Sequence, residues 1–477
     1  MGTHFQHKTI TDPVHGSIGL SKLEAEVASS RTFQRLHNVR QLGLAHLVFP
    51  GAGYSRFSHS IGACHNAGQI LKAISRNSGE KISKSKIVAY RLAGLLHDIG
   101  HYPFSHATEH VIENYYAKTL LAIDGQSDAN QQSAIPNDLP PSFDHENLGE
   151  QILKHDGELR SIFERHGFEI NTLEDIFSKG TPDPLIGIIS SDLDCDRLDY
   201  LRRTAHFSGA PYGSVDIKYI IEQATVDDTG QYCFLQKAMR AADHLLVSRY
   251  YDYMQVPFNK TVAAVEWSLV SCINKLLKIG KLDCSAQNMI CQIQSGDWYN
   301  FDDQNVFEKL RELVGELSTS TLEEDIVIRD HARAILNRRP AKMIAAWEEI
   351  KKKGESSLPL QLFEKAKKAV AAKFGISPDR FYVWKAPLQL SKIAGETDHD
   401  HLDDVQKATA VKILATGKLE AELLISRRDA LLSQLSNFDY SGRRVYYLPE
   451  SDGDSGPEKA ELYDAFVEEV CHQPSGR

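Results

Sequence analysis

Apolar residues recur at three- and four-residue spacing along most of the chain. The pattern is clearest over Lys84–Leu96 (KSKIVAYRLAGLL), Ala241–Met254, Thr261–Leu277 and Val405–Leu435, and it predicts helices there. Alternating apolar and polar runs are scarce, so the expected class is all-α. Two stretches break the helical pattern and predict small β elements: ATVDDTGQYCFL, where Asp228-Thr229-Gly230 separates two short apolar runs, and RRVYYLP at Arg443–Pro449. From Asp124 to Ser142 the chain is polar and proline-bearing without periodicity, which predicts a loop inserted between two helices. Residues 1–300 are then expected to form the main helical body, and 301–477 a charged helical C-terminal lobe suited to oligomer contacts.

Composition narrows the class. The 477 residues are 42% hydrophobic and 25% charged, which excludes fibrous and mainly disordered chains. A formal charge of −10 argues against electrostatic coating of nucleic acid, although a local basic pocket remains compatible with it. No apolar run is long enough to span a bilayer and the first residues lack a signal-peptide core, so a cytoplasmic protein without membrane contact is expected. The seven cysteines contain no Cys-x-x-Cys pair, which disfavours disulfide staples and a thiolate zinc site.

Histidines carry the candidate chemistry. In Gly94-Leu-Leu-His97-Asp98-Ile-Gly100-His101-Tyr-Pro103-Phe104-Ser105-His106 an apolar helix ends in an adjacent His and Asp, and Gly100 and Pro103 then stop it. Two ligand-type side chains on a rigid helix end suit Fe, Mn, Zn or Co, but two ligands do not complete a site. Upstream, Arg56-Phe57-Ser58-His59 opens another helix; downstream, Asp192, Asp196 and Asp199/Tyr200 share a helix face. An EF-hand reading of Asp192, Asp194 and Asp196 fails, because Arg197 and Arg203 stand at its sixth and twelfth positions. His106-Ala107-Thr108-Glu109-His110 fits the pattern of inverted zinc peptidases, but that reading leaves His59, His97, Asp98 and Asp196 unexplained.

Taken together, R-F-S-H-S, L-L-H-D-I-G-H-x-P-F-S-H, D-H-E and D-x-D-R-x-D-Y-L resemble the HD-domain phosphohydrolases, within them the deoxynucleotide triphosphohydrolases. The likeness runs from Asp12-Pro13-Val14-His15-Gly16 to Val256-Pro257-Phe258-Asn259-Lys260. It implies an HD-domain helical fold and a divalent transition metal (Mn, Fe, Zn or Co, with Mg as a further candidate) on His59, His97, Asp98 and Asp196. It places His106, Glu109 and His145 by the scissile phosphate, with His106 the first choice for general acid and His145 the second. It assigns Arg56, Arg197, Arg249 and Lys260 to the triphosphate, and Gln41 and Tyr200 to the sugar.

The implied activity is hydrolysis of a deoxynucleoside triphosphate to deoxynucleoside and triphosphate by a homo-oligomer. Alternatives are hydrolysis of another nucleotide or an oligonucleotide, and a silent nucleotide-binding scaffold. The chain departs from close relatives at Thr204, Pro257 and Asn259, where they carry Asp, Tyr and His near the sugar. Ser29 and His37 stand where GTP-activated relatives read guanine with Asp and Arg, so activation by GTP is not expected.

Overall fold

The computed structural model describes residues 7–124, 139–178, 183–388, 410–435, 437–450 and 456–471. Its centre is the helix α1 (Arg56–Ser78), which buries Ile61, Ala63, Cys64, Ala67, Ile70, Leu71 and Ile74 and ends at Gly79 in the left-handed conformation. It packs against α2 (Lys84–Leu96), whose first turn is capped by the Ser83 hydroxyl accepting from the Lys86 N–H. On another face it meets a helix at Cys195–Ser208, capped in the same way by Asp194. The last contact leaves no room for a side chain at Gly62: a Cβ there would stand 1.9 Å from Asp199 Oδ1.

Around this pair the chain adds α3 (His106–Asp124), α4 (His145–His155), the Cys195–Ser208 helix as α5, α6 (Met239–Gln255) and α7 (Lys260–Lys278). α8 (Asp303–Glu316) and α9 (Glu323–Leu336) follow. The fold class is all-α with small sheets, as expected. Residues 125–138 of the expected inserted loop lie outside the described residues. No helix among the described residues is long and apolar enough to cross a membrane.

A hairpin of β1 (Lys8–Asp12) and β2 (Gly16–Leu20) lies at the N-terminus. The expected elements in ATVDDTGQYCFL form the antiparallel pair β3 (Ala224–Val226) and β4 (Tyr232–Leu235), turned through Gly230 at φ 79°. The helix expected at Val405–Leu435 is not what the structure shows over its described part. Residues 412–414 form β7, which adds in parallel to β4, and 422–423 form β8; only Leu431–Leu435 is helical. Gly417, at φ 77°, breaks the helical path, and the free edge of β4 supplies the alternative backbone partner.

The second sheet has the order β5 (Lys342–Lys352), β9 (Phe438–Tyr447), β6 (Phe381–Leu388), all antiparallel; the RRVYYLP stretch supplies most of its central strand. Alternation along these strands splits the side chains between two cores. Val383 and Val445 face α10 (Leu360–Phe374) and α11 (Lys459–Cys471), whereas Trp384 and Tyr446 join Trp267 of α7. The C-terminal part thereby presses one sheet face onto the helical body.

Candidate functional site

α2 ends at Leu96 with His97 as its C-cap, and the turn that follows carries most of the candidate chemistry. Gly100 is required there because a Cβ would come within 2.2 Å of the His145 carbonyl oxygen and 2.4 Å of the Gly149 nitrogen at the start of α4. Phe104 and Ser105 adopt positive φ (55° and 60°), a strained setting for residues with side chains. The turn is pinned by three bonds: Phe104 N–H to Asp303 Oδ1 (2.8 Å), Arg56 Nε to Ser105 Oγ (2.8 Å), and Ser105 Oγ–H to the Arg40 carbonyl (3.1 Å).

His59, His97, Asp98 and Asp196 come together. His59 Nε2 stands 3.3 Å from His97 Nε2, 3.0 Å from Asp196 Oδ1 and 3.6 Å from Asp98 Oδ2; His97 Nε2 stands 3.3 Å from Asp98 Oδ1. Both rings are held from behind, His59 Nδ1 by Asp199 Oδ2 at 2.7 Å and His97 Nδ1 by the Gly94 carbonyl at 3.0 Å. A neutral ring donating from Nδ1 turns its Nε2 lone pair to the centre, the arrangement metal-ligating histidines use. Burial opposes charge on His59, yet the Asp196 and Asp199 carboxylates outweigh it and lift the imidazole to about 10. Burial likewise opposes charge on Asp196, and His59 outweighs it, lowering the carboxyl to about 2. The cluster therefore favours a positive charge at its centre, and its two nitrogens and two carboxylates fit a divalent transition metal. Asp196 keeps 32% of its side chain accessible, which leaves one side open.

Beside it lies a second group: His101, His106, Glu109 and His145. Asp98 joins the two, its Oδ1 lying 3.1 Å from His101 Nε2. Glu109 Oε2 accepts from His106 Nδ1 (2.9 Å), and Oε1 accepts from His145 Nδ1 (2.7 Å) and the His145 backbone N–H (2.9 Å). His101 stacks on His145 with centroids 4.0 Å apart. Burial disfavours the charged form of His145, but the Glu109 hydrogen bond and charge prevail and its pKa is raised. Glu109 is pushed the other way, burial being outweighed by the two histidines, and stays ionised. His106 is 60% exposed, at the mouth of the cavity. His110 of the peptidase-like pattern is 71% exposed and pairs with Glu113 instead.

Both groups open into one cavity of about 1220 Å³, which Gln41, Arg56, Arg197, Tyr200 and Arg249 also line. Arg56 is already engaged: its Nη1 donates to Asp98, so it braces the ligand cluster. Arg197 and Arg249 both approach Asp192 Oδ1, at 3.6 and 3.1 Å, and the buried Arg249 Nε has no hydrogen-bond partner among the described residues. Gln41 Oε1 is likewise buried without a partner among the described residues. The structure does not bring Lys260 to this cavity among the described residues. It opens α7 and lines a neighbouring cavity with Arg444 and Glu348, with Phe258 shared between the two.

Behind His59 stands a support that no local sequence pattern assembles. Asp199 takes Arg203 Nε at 2.7 Å and Nη2 at 2.8 Å, and His15 Nε2 at 2.6 Å; Asp12 binds Arg203 Nη1 at 2.8 Å. Its local signals were present, since Asp199 shares the face of Asp196 and Asp12-Pro-Val-His15 lies in the matched region. Nothing local joins residues 184 positions apart.

A family model of the HD domain matches residues 56–201. The protein YwfO of Bacillus subtilis, itself uncharacterized, is 25% identical over 95% of both chains. The deoxynucleoside triphosphate triphosphohydrolase SAMHD1 of Danio rerio is 46% identical over 100 residues, which are 21% of this chain and 16% of that protein. The chain spans between 49% and 64% of four further curated relatives. Among solved structures, a phosphohydrolase from Bacteroides thetaiotaomicron superposes with a TM-score of 0.67 at 21% identity, covering 93% of this chain and all of that one.

Proposed function

We propose, from the premise that this chain is an HD-domain, metal-dependent phosphohydrolase, that it cleaves deoxynucleoside triphosphates at the α-phosphate. Water adds its oxygen to phosphorus, the bond to the 5′-oxygen breaks, and the products are deoxynucleoside and triphosphate. The observation that carries this reading is the shared cavity, where the His59–His97–Asp98–Asp196 cluster, the Glu109 histidines and the Arg197–Arg249 pair face one space. SAMHD1 supports the choice of substrate by its name alone.

In this reading His59, His97, Asp98 and Asp196 hold the metal. Bound there, a divalent cation supplies Lewis acidity toward phosphate and water. Asp199, with Arg203 and His15 behind it, orients His59. Glu109 accepts from His106 Nδ1 and so fixes the ring, leaving Nε2 as the atom that donates a proton to the departing 5′-oxygen. His145, held by the same carboxylate, is the second donor at hand. Arg197 and Arg249 bind the phosphates, with Asp192 fixing their spacing. Gln41 Oε1 and Tyr200 meet the sugar.

The test is an incubation with each dNTP, rNTP and cyclic nucleotide in Mn, Mg, Fe or Co, with products separated by chromatography. Triphosphate from dNTPs is expected. Inert dNTPs alongside cleavage of a cyclic nucleotide would replace this reading with a phosphodiesterase.

A further inference from the structure

The cavity continues past Arg249 along a row of aromatic rings. The Arg249 guanidinium lies 5.7 Å from the Tyr253 centroid, Tyr253 lies 5.7 Å from Phe258, and Phe258 meets Trp384 at 5.2 Å with the rings edge to face. α6, the α6–α7 junction and β6 thus build one wall that leads away from the cations. Glu266 of α7 lines the same space. It stands between the buried residues Val265 and Trp267, on a helix whose neighbouring side chains are apolar.

The Glu266 carboxylate has no hydrogen bond or ion pair among the described residues, and its pKa is raised to about 7 by burial alone. Other groups nearby are occupied. Asp252 accepts from the Tyr212 hydroxyl, and Arg444, over the Trp384 ring at 4.5 Å, is held by Glu348 and the Phe258 carbonyl. Glu266 is half-buried, so its carboxylate is partly withdrawn from water without a protein partner, which is unfavourable. Here a partner has access through the cavity, which the Phe258 and Trp384 rings also wall.

We infer that Glu266 reads the base of the nucleotide and selects guanine; this rests on the triphosphohydrolase reading above. Two donors facing this carboxyl favour its ionised form, and an ionised carboxylate only accepts hydrogen bonds. The Watson–Crick edge of guanine offers two adjacent donors, the ring N1–H and the 2-amino group, which match its two oxygens. Adenine and cytosine set one amine beside a ring acceptor. Thymine flanks its single N–H with two carbonyl oxygens, which a carboxylate repels. The expected order is therefore dGTP first and dTTP last.

The test compares the full-length wild type with E266Q, an isosteric change, on all four dNTPs. The wild type is expected to favour dGTP over dTTP in kcat/KM, and E266Q to lower that ratio at least about tenfold, since a site built for a polar edge rejects analogues strongly. Calorimetry with deoxyguanosine, which lacks phosphates, should show weaker binding to E266Q than to wild type. A wild type that prefers dTTP, or an E266Q loss equal for all four substrates, overturns the inference while leaving the triphosphohydrolase reading intact. If the wild type hydrolyses no dNTP, that reading fails by itself, and unchanged deoxyguanosine binding by E266Q would overturn the role of Glu266 as well.

Discussion

One carboxylate, Glu109, orients two imidazoles, and this makes the roles of His106 and His145 separable by experiment. We predict that His106→Ala retains metal but lowers turnover by about 10²- to 10⁴-fold, the usual contribution of a positioned acid. Metal content by plasma emission and single-turnover rates check this; loss of metal would make His106 a ligand instead. Asp196→Ala, by contrast, should lose metal and hydrolysis together, because neither imidazole can replace its anionic oxygen. Glu109→Gln tests protonation. The carboxylate holds the His145 pKa above its ordinary value, so the His145 imidazole keeps its proton to higher pH and loses it as pH rises through that raised pKa. Without the charge, the His145 titration followed by NMR should move to lower pH; an unmoved titration rejects the coupling. At this scale much could be read from adjacency. His97-Asp98 and His106-x-x-Glu109 sit on single helix ends, so spacing alone brings their side chains near one another. Glu266 and Trp384 share a cavity only because a strand from the C-terminal part closes against α7, and no local pattern announces it.

The helix periodicity of Lys84–Leu96 specified α2 because the apolar stripe had a core to face, and the same reasoning misread 412–423. There the spacing is also compatible with short strands, and the decision fell to the open edge of β4, a partner nearly 180 residues away. RRVYYLP was legible as strand from its β-branched and aromatic residues, but its place at the centre of a three-stranded sheet depends on β5 and β6 arriving from either side. The turn between α2 and α3 is the element on which the site depends most. Gly100→Ala would force its Cβ into the backbone at the head of α4, an overpacking of about 1–3 kcal/mol. We predict a lower melting temperature by calorimetry and a loss of turnover, since relief by moving α4 would carry His145 away from Glu109. A variant with wild-type melting and rate would show that the two elements are not in such close contact.

At the scale of the molecule, the question is what controls the cavity. Ser29 Oγ donates to the Ala25 carbonyl at 2.7 Å, and His37 stacks on Phe57 at 3.7 Å with its pKa lowered by burial. Neither offers a guanine edge the acceptor pair that a carboxylate would. We predict that GTP leaves dNTP hydrolysis and the mass measured by light scattering unchanged; activation with assembly would show that guanine is read by other residues. The pinning of the Phe104–Ser105 turn has a further meaning for how this protein is divided. The HD segment ends at residue 201, yet the acceptor that holds the turn is Asp303, at the head of α8, and Arg35 ties the His101 carbonyl to that of Phe301 at 2.9 and 2.7 Å. The four candidate ligands thus fall within one compact stretch, but the posture of the turn beside them is set from outside it. A transplant of residues 56–201 into another helical frame would carry the charges and leave the brace behind. It would also leave behind Arg203 and His15, which hold Asp199 against His59, so the ligand cluster and the donor histidines alike keep their posture only in the whole chain.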